Sequence, residues 1–202
     1  MLELSQIFTF FFLTLGPIKI VGPFMKITRN ADAALTRQIA IRATIFACLA
    51  LLVAALVGEN ILTKYGIPLP ILKMSGGLIL FLVALLNIIQ QFIPPLAQDE
   101  STHTPTLAMA ISPLAFPNIV TPYGIAAVIV FMALSPDLET KLIIGAMVLG
   151  MMILNLLVMF IAKRIFKYLA VALPILGAVL GVVQVSLGLM IIYNSFKQLF
   201  NL

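Results

Sequence analysis

Gly16-Pro17-Ile18-Lys19-Ile20-Val21-Gly22-Pro23 and Ser112-Pro113-Leu114-Ala115-Phe116-Pro117-Asn118-Ile119-Val120-Thr121-Pro122 decide the fold, because each interrupts an apolar segment long enough to cross a bilayer. Proline lacks an amide hydrogen and clashes with the carbonyl four residues back, so a helix carrying several of them unwinds. Backbone groups freed in hydrocarbon have no water to bond. Such breaks persist only where they are buried in protein or line a cavity. A matched pair of interrupted helices, one in each half of a chain, is the sequence pattern of a secondary-transporter binding site.

The rest of the composition agrees with a membrane setting. Of 202 residues, 62% are hydrophobic and 9% charged, where a soluble domain is about 25% charged. The spans expected from apolar runs of about 20 residues are 5–27, 40–61, 70–93, 107–133, 142–162 and 173–196. The expected fold is an all-α membrane protein of six transmembrane helices, arranged as two inverted three-helix repeats. Repeat one covers about 1–93 and repeat two about 107–202, with spans 1 and 4 broken. Ile20-Val21-Gly22-Pro23 echoes Ile119-Val120-Thr121-Pro122, and Pro70-Ile71-Leu72 echoes Pro174-Ile175-Leu176.

The net charge of +5 marks topology rather than a nucleic-acid surface, since no aromatic residues interleave the cations. Lys26, Arg29, Arg37, Arg42, Lys163, Arg164 and Lys167 fall in the first and fifth connections. Lys64, Lys73, Lys141 and Lys197 fall on the other side. The bias predicts a multi-pass protein of the cell (inner) membrane with both termini outside the cytoplasm. Cys48 stands alone in an apolar run and reads as a packing residue. His103, in a polar connection, reads as a solvated loop residue. The early charge Glu3 and the long apolar stretch after it do not fit a signal peptide.

Lys19 is the deepest cation in the sequence. It either meets a carboxylate, from a substrate or from Glu59, or reaches back to the cytoplasmic interface along its stem. The breaks offer a charge-free device as well: amide hydrogens at a new helix start attract anions, and carbonyls at the preceding helix end attract cations. A zwitterion fits between two such ends. Candidate substrate-binding residues are therefore Gly16, Pro17, Lys19, Gly22, Pro23, Pro117, Asn118, Thr121 and Pro122. Asn118 and Thr121 would orient the ligand, unless Asn118 only caps a helix. Gly22 and Gly124 would let the ligand approach the backbone. Gly177, Gly181, Gln184 and Gly188 share a helix face; small residues there favour helix packing in lipid, with Gln184 as an interhelical hydrogen bond. Gly77, Ala84, Asn87 and Gln91 also share a face, where Asn87 and Gln91 either line a polar path or sit near the interface. Asn155 fits either a polar path or packing.

Catalytic motifs, metal ligands and phosphate loops are missing from the sequence, so neither an enzyme nor a cofactor is expected. At the breaks the chain resembles the MarC family, which includes the SnatA-type neutral amino-acid transporters. Pro113-Leu114-Ala115-Phe116-Pro117 followed by Pro122 is similar to that family's second break. Gly58-Glu59-x-Ile61-Leu62 and Ser75-Gly76-Gly77-Leu78-Ile79-Leu80-Phe81-Leu82 match the ends of its second and third spans. Four positions depart from the pattern: Gly16 where asparagine or aspartate is usual, Lys19 and Ile20 in place of Gly-Asn, and Thr121 in place of glycine. The resemblance implies secondary transport of a small neutral amino acid, with protons or sodium as candidate coupling ions, lipid as solvent and a homo-oligomer as a candidate assembly. The rivals are a channel, a small-molecule or drug exporter, and a non-transporting membrane scaffold.

Overall fold

The computed structural model describes residues 4–92, 105–135, 137–169 and 172–200. Seven α-helices account for most of them: α1 Leu4–Leu15, α2 Val21–Thr28, α3 Ala33–Tyr65, α4 Leu69–Phe92, α5 Pro122–Leu134, α6 Leu138–Leu169 and α7 Ala172–Phe200. An irregular segment, Leu107–Ile119, precedes α5. His103, and the side chains of Glu59, Asn87 and Gln91, lie outside the described residues.

Four helical stretches are long and apolar enough to cross a membrane: Ala33–Gly58, Leu69–Leu86, Leu138–Ile165 and Gly177–Phe200. At most 33% of any of these windows is buried inside the protein, so most of their apolar surface needs lipid to cover it. A fifth crossing follows if Leu107–Ile119 and Pro122–Ala133, bent by 61°, count as one span. At about 1.5 Å per residue, the 12 residues of α1 fall well short of the roughly 30 Å hydrocarbon core. The expected first span is thus two short helices flanking residues 16–20.

The helix limits follow from local chemistry. Asp32 Oδ1 accepts the Leu35 amide at 2.6 Å and starts α3. At its far end Gly66 adopts φ 59°, the left-handed cap that favours glycine. At the start of α6, Asp137 Oδ2 accepts the Thr140 amide at 2.7 Å and Oδ1 the Thr140 hydroxyl at 2.9 Å. The Thr140 backbone bond, then its side-chain bond, hold the Asp137 carboxyl below the usual carboxylate range. A depressed folded-state pKa gives stability that is complete above the unfolded value and lost as pH falls through the folded one. Thermal midpoints of the native protein and Asp137→Ala should therefore converge on acidification; a constant gap across that range contradicts the cap's role.

The core is built from small and large residues matched across helices. Ala40, Ala43, Ala47 and Leu51 form one buried face of α3, joined in a single cluster with Ile144, Val148, Met151, Met152, Met159 and Ala162 of α6. The opposite side of α3, with Ile45, Phe46, Leu49, Leu52 and Leu56, is exposed. Phe131 of α5 meets Phe10 and Phe11 of α1 edge-on, at centroid distances of 5.5 and 5.3 Å.

Helices α4 and α7 make the most extensive pairing. The expected small-residue faces meet there: a Cβ placed on Gly188 would lie 2.8 Å from both Gly77 O and Phe81 N. Gln184, on the same face of α7, donates from Nε2 to Leu13 O at 2.7 Å, the interhelical bond expected of it.

Candidate functional site

Helix α1 stops at Leu15 because the chain must turn there. A Cβ on Gly16 would overlap the Phe12 carbonyl oxygen, so only glycine fits this backbone path. Ending the helix leaves its last carbonyls without intrahelical donors. Three of them find side chains from three different elements. Gln184 Nε2 of α7 takes Leu13 O, Lys19 Nζ takes Thr14 O, and Asn155 Nδ2 of α6 takes Leu15 O at 2.8 Å. Ile20 N closes the turn onto Pro17 O at 3.3 Å, and α2 begins with Phe24 N on Ile20 O at 2.9 Å. Pro23 therefore sits in the first turn, where a missing amide removes no helical bond.

The ammonium of Lys19 also donates to Tyr123 Oη at 2.7 Å. Nζ lies 4.9 Å from the ring centroid, so the hydroxyl is the closer contact. Lys19 thus turns inward, to a carbonyl and a phenol, rather than back toward the interface. The expected carboxylate partner, from a substrate or from Glu59, lies outside the described residues. Tyr123 went unnoticed in the sequence; a tyrosine directly after the second break is a signal in itself, because a phenol in lipid seeks a polar partner.

The second break is built differently. Ser112 (φ −131°, ψ 127°) and Phe116 (φ −128°, ψ 128°) are extended, as residues before proline must be. Their peptide bonds to Pro113 and Pro117 are cis. Asn118 Nδ2 donates to Pro113 O at 2.9 Å, and Val120 N donates to Ala115 O at 2.8 Å. Thr121 caps α5, its Oγ1 accepting the Gly124 amide at 3.2 Å, with Pro122 at the helix start. The side chains of Asn118 and Thr121 thus both serve local backbone groups.

Of the nine candidate residues, Gly16, Pro17 and Thr121 are buried, Lys19, Gly22, Pro23 and Asn118 half-buried, and Pro117 and Pro122 exposed. The two breaks adjoin through Lys19–Tyr123 and through Gly124, where an added Cβ would sit 2.6 Å from Leu15 Cδ2. Gly124 is therefore a packing glycine rather than a point of ligand approach. Around Gly22, by contrast, an added Cβ finds no heavy atom within 4 Å.

Beside the breaks lies a cavity of about 790 Å³ between α1, α4, α5 and α7. None of the nine candidates lines it. Leu13 and Tyr123, next to the breaks in sequence, line it, as do Ser5, Lys73 and Gln198. Lys73 Nζ donates to Gln198 Oε1 at 3.2 Å there. The rest of the wall is largely apolar, with Thr9, Asn194 and Ser195 as polar points. Asn155, 1% exposed, has an Oδ1 without a hydrogen-bond partner among the described residues.

Four long apolar helices that need lipid to cover them define an integral membrane protein of several spans. The profile described as MarC family integral membrane protein matches residues 1–200. The chain belongs to the MarC family. It is 28% identical to a UPF0056 membrane protein of Methanocaldococcus jannaschii, over 94% of both chains. A UPF0056 membrane protein of Pyrococcus horikoshii is 24% identical over 97% of this chain and 95% of its own. The UPF0056 inner membrane protein YhgN of Escherichia coli K12 is 28% identical over 66% of each. No solved structure matches the chain.

Proposed function

We infer that the protein is a secondary transporter of small neutral amino acids in the cytoplasmic membrane, with its site at the junction of the two breaks. The observation that carries this reading is the collar of side chains on the end of α1, set against Tyr123 on the cavity wall. Helix ends inside a membrane supply partial charges to a zwitterion without requiring a buried charged pair.

In this reading α1 with α2, and Leu107–Ile119 with α5, are two discontinuous spans of an inverted repeat. The packing is reciprocal, which supports it: α1 and α2 pack on α6, the segment before α5 and α5 itself pack on α3, and α3 pairs with α6 as α4 pairs with α7. Lys163 Nζ donates to Ala31 O and Thr36 Oγ1, each at 2.9 Å, joining the two basic connections. By the lysine and arginine bias that face is cytoplasmic.

The apolar cavity wall favours a second reading, an exporter of small apolar compounds. Uptake of labelled glycine or alanine into proteoliposomes separates the two. Saturable flux competed by the unlabelled amino acid is expected. Flux equal to that of empty vesicles removes the amino-acid assignment, and linear flux without counterflow makes the protein a channel. Within the transporter reading, Tyr123→Phe should leave the fold intact and raise KM several-fold, about 1 kcal/mol for one lost hydrogen bond. An unchanged KM would exclude the Tyr123 hydroxyl from the site.

A further inference from the structure

The end of α1 presents the surroundings of a cation site, and the chain fills it with its own side chain. Carbonyls at a helix C-terminus carry the negative end of the helix dipole, and in membrane transporters such ends coordinate mobile cations. Here the Thr14 carbonyl and the Tyr123 hydroxyl converge on one ammonium, Lys19 Nζ, which reaches back five residues to the helix it follows. The neighbouring carbonyls of Leu13 and Leu15 are held by neutral amides, Gln184 and Asn155. One amine, a cation when protonated, is thus placed among oxygen acceptors, on a tether that cannot leave. The unmet Oδ1 of Asn155 belongs to the same collar, since its amide nitrogen bonds Leu15 O.

We propose that Lys19 is a built-in substitute for a mobile monovalent cation at the end of α1, so that the protein needs no sodium at this site. This rests on the transport reading and deepens it by removing sodium from the end of α1 as a candidate coupling ion. The site's chemistry, however, is testable without any substrate. A charge that is covalently attached has no dependence on bulk cation concentration, whereas its removal leaves carbonyl dipoles aimed at an empty position that a small cation stabilises by mass action.

The test is thermal unfolding of the purified full chain in detergent, followed by a thiol-reactive dye on its single cysteine, Cys48. The native protein should unfold at the same temperature in sodium, potassium or choline chloride of equal ionic strength. Lys19→Ala should unfold at a lower temperature in choline chloride and recover saturably with sodium or with methylammonium. Lys19→Met, which fills the volume without the charge, should remain destabilised. Stabilisation of the native protein by sodium over choline overturns the proposal, whatever the variants do. So does Lys19→Met matching the native protein in choline, or Lys19→Ala that folds but recovers with neither cation. No amino acid enters this assay. Failure of glycine and alanine uptake would remove the amino-acid reading and leave the tethered cation standing.

Discussion

Gly188→Leu is expected to prevent the protein from reaching a stable fold. The Cβ alone would press on two backbone atoms of α4, Gly77 O and Phe81 N, both at 2.8 Å. Backbone cannot rotate aside as a side chain does, so the helices must separate along their length. Overpacking of a tight contact costs about 1–3 kcal/mol and sometimes more, and a leucine here belongs at the upper limit. That is a large part of the roughly 5–15 kcal/mol that holds an ordinary domain together. The other glycines of the same face set a scale. A Cβ on Gly181 meets the Ile88 side chain at 2.9 Å, a flexible neighbour, and one on Gly177 meets nothing within 4 Å. Size-exclusion profiles and thermal midpoints should therefore rank Gly177→Leu near the native protein, Gly181→Leu lower, and Gly188→Leu lowest. A monodisperse Gly188→Leu with native stability would show that the α4–α7 crossing is not as close as described. If Gly177→Leu instead released a bound partner, the scaffold reading would gain.

What the sequence made legible divides along physical lines. Apolar length and proline position are local properties, and they placed α4, α7 and both interruptions to within a few residues, whereas α3 begins at Ala33 rather than 40 and α6 runs on to Leu169 rather than 162, because amphipathic turns extend each helix beyond its apolar run. Residue spacing put Gln184 and Gly188 on one face, because 3.6 residues per turn is a fixed geometry. Partners are another matter. That Lys19 meets Tyr123, 104 residues away, depends on how α5 folds back along α1, which no spacing rule encodes. The same holds for Asn155, whose Leu15 contact crosses from α6. Gly22 and Gly124 looked alike as loose glycines beside a break, yet one faces open space and the other Leu15. Asn118 and Thr121 showed polar character correctly, but the need to satisfy local backbone groups claims their side chains first. Asn118 caps no helix: its amide bonds the Pro113 carbonyl within its own segment, a partner that only the fold of the second break reveals.

Gly16→Ala and Gly22→Ala should behave in opposite ways, although both add one methyl group to the same break. At Gly16 the methyl overlaps the Phe12 carbonyl oxygen, so the chain after α1 must take another path. That shift drags Lys19 and the collar on Leu13, Thr14 and Leu15 out of register, and each buried group left without its partner costs about 1–3 kcal/mol. The expected result is little folded protein, or a folded fraction with no saturable uptake. At Gly22 the methyl enters unoccupied space, and replacing glycine by alanine near a helix start has a small backbone effect, about 1 kcal/mol or less in favour of the helix. Its thermal midpoint should equal or slightly exceed the native value. Only a ligand that approaches this stretch of backbone would feel the change, and it would do so as a higher KM. Native stability in Gly16→Ala would mean that the turn after Leu15 is not the tight path described. A stable Gly22→Ala with native KM would move the bound amino acid away from the start of α2 and toward Tyr123 and the cavity wall.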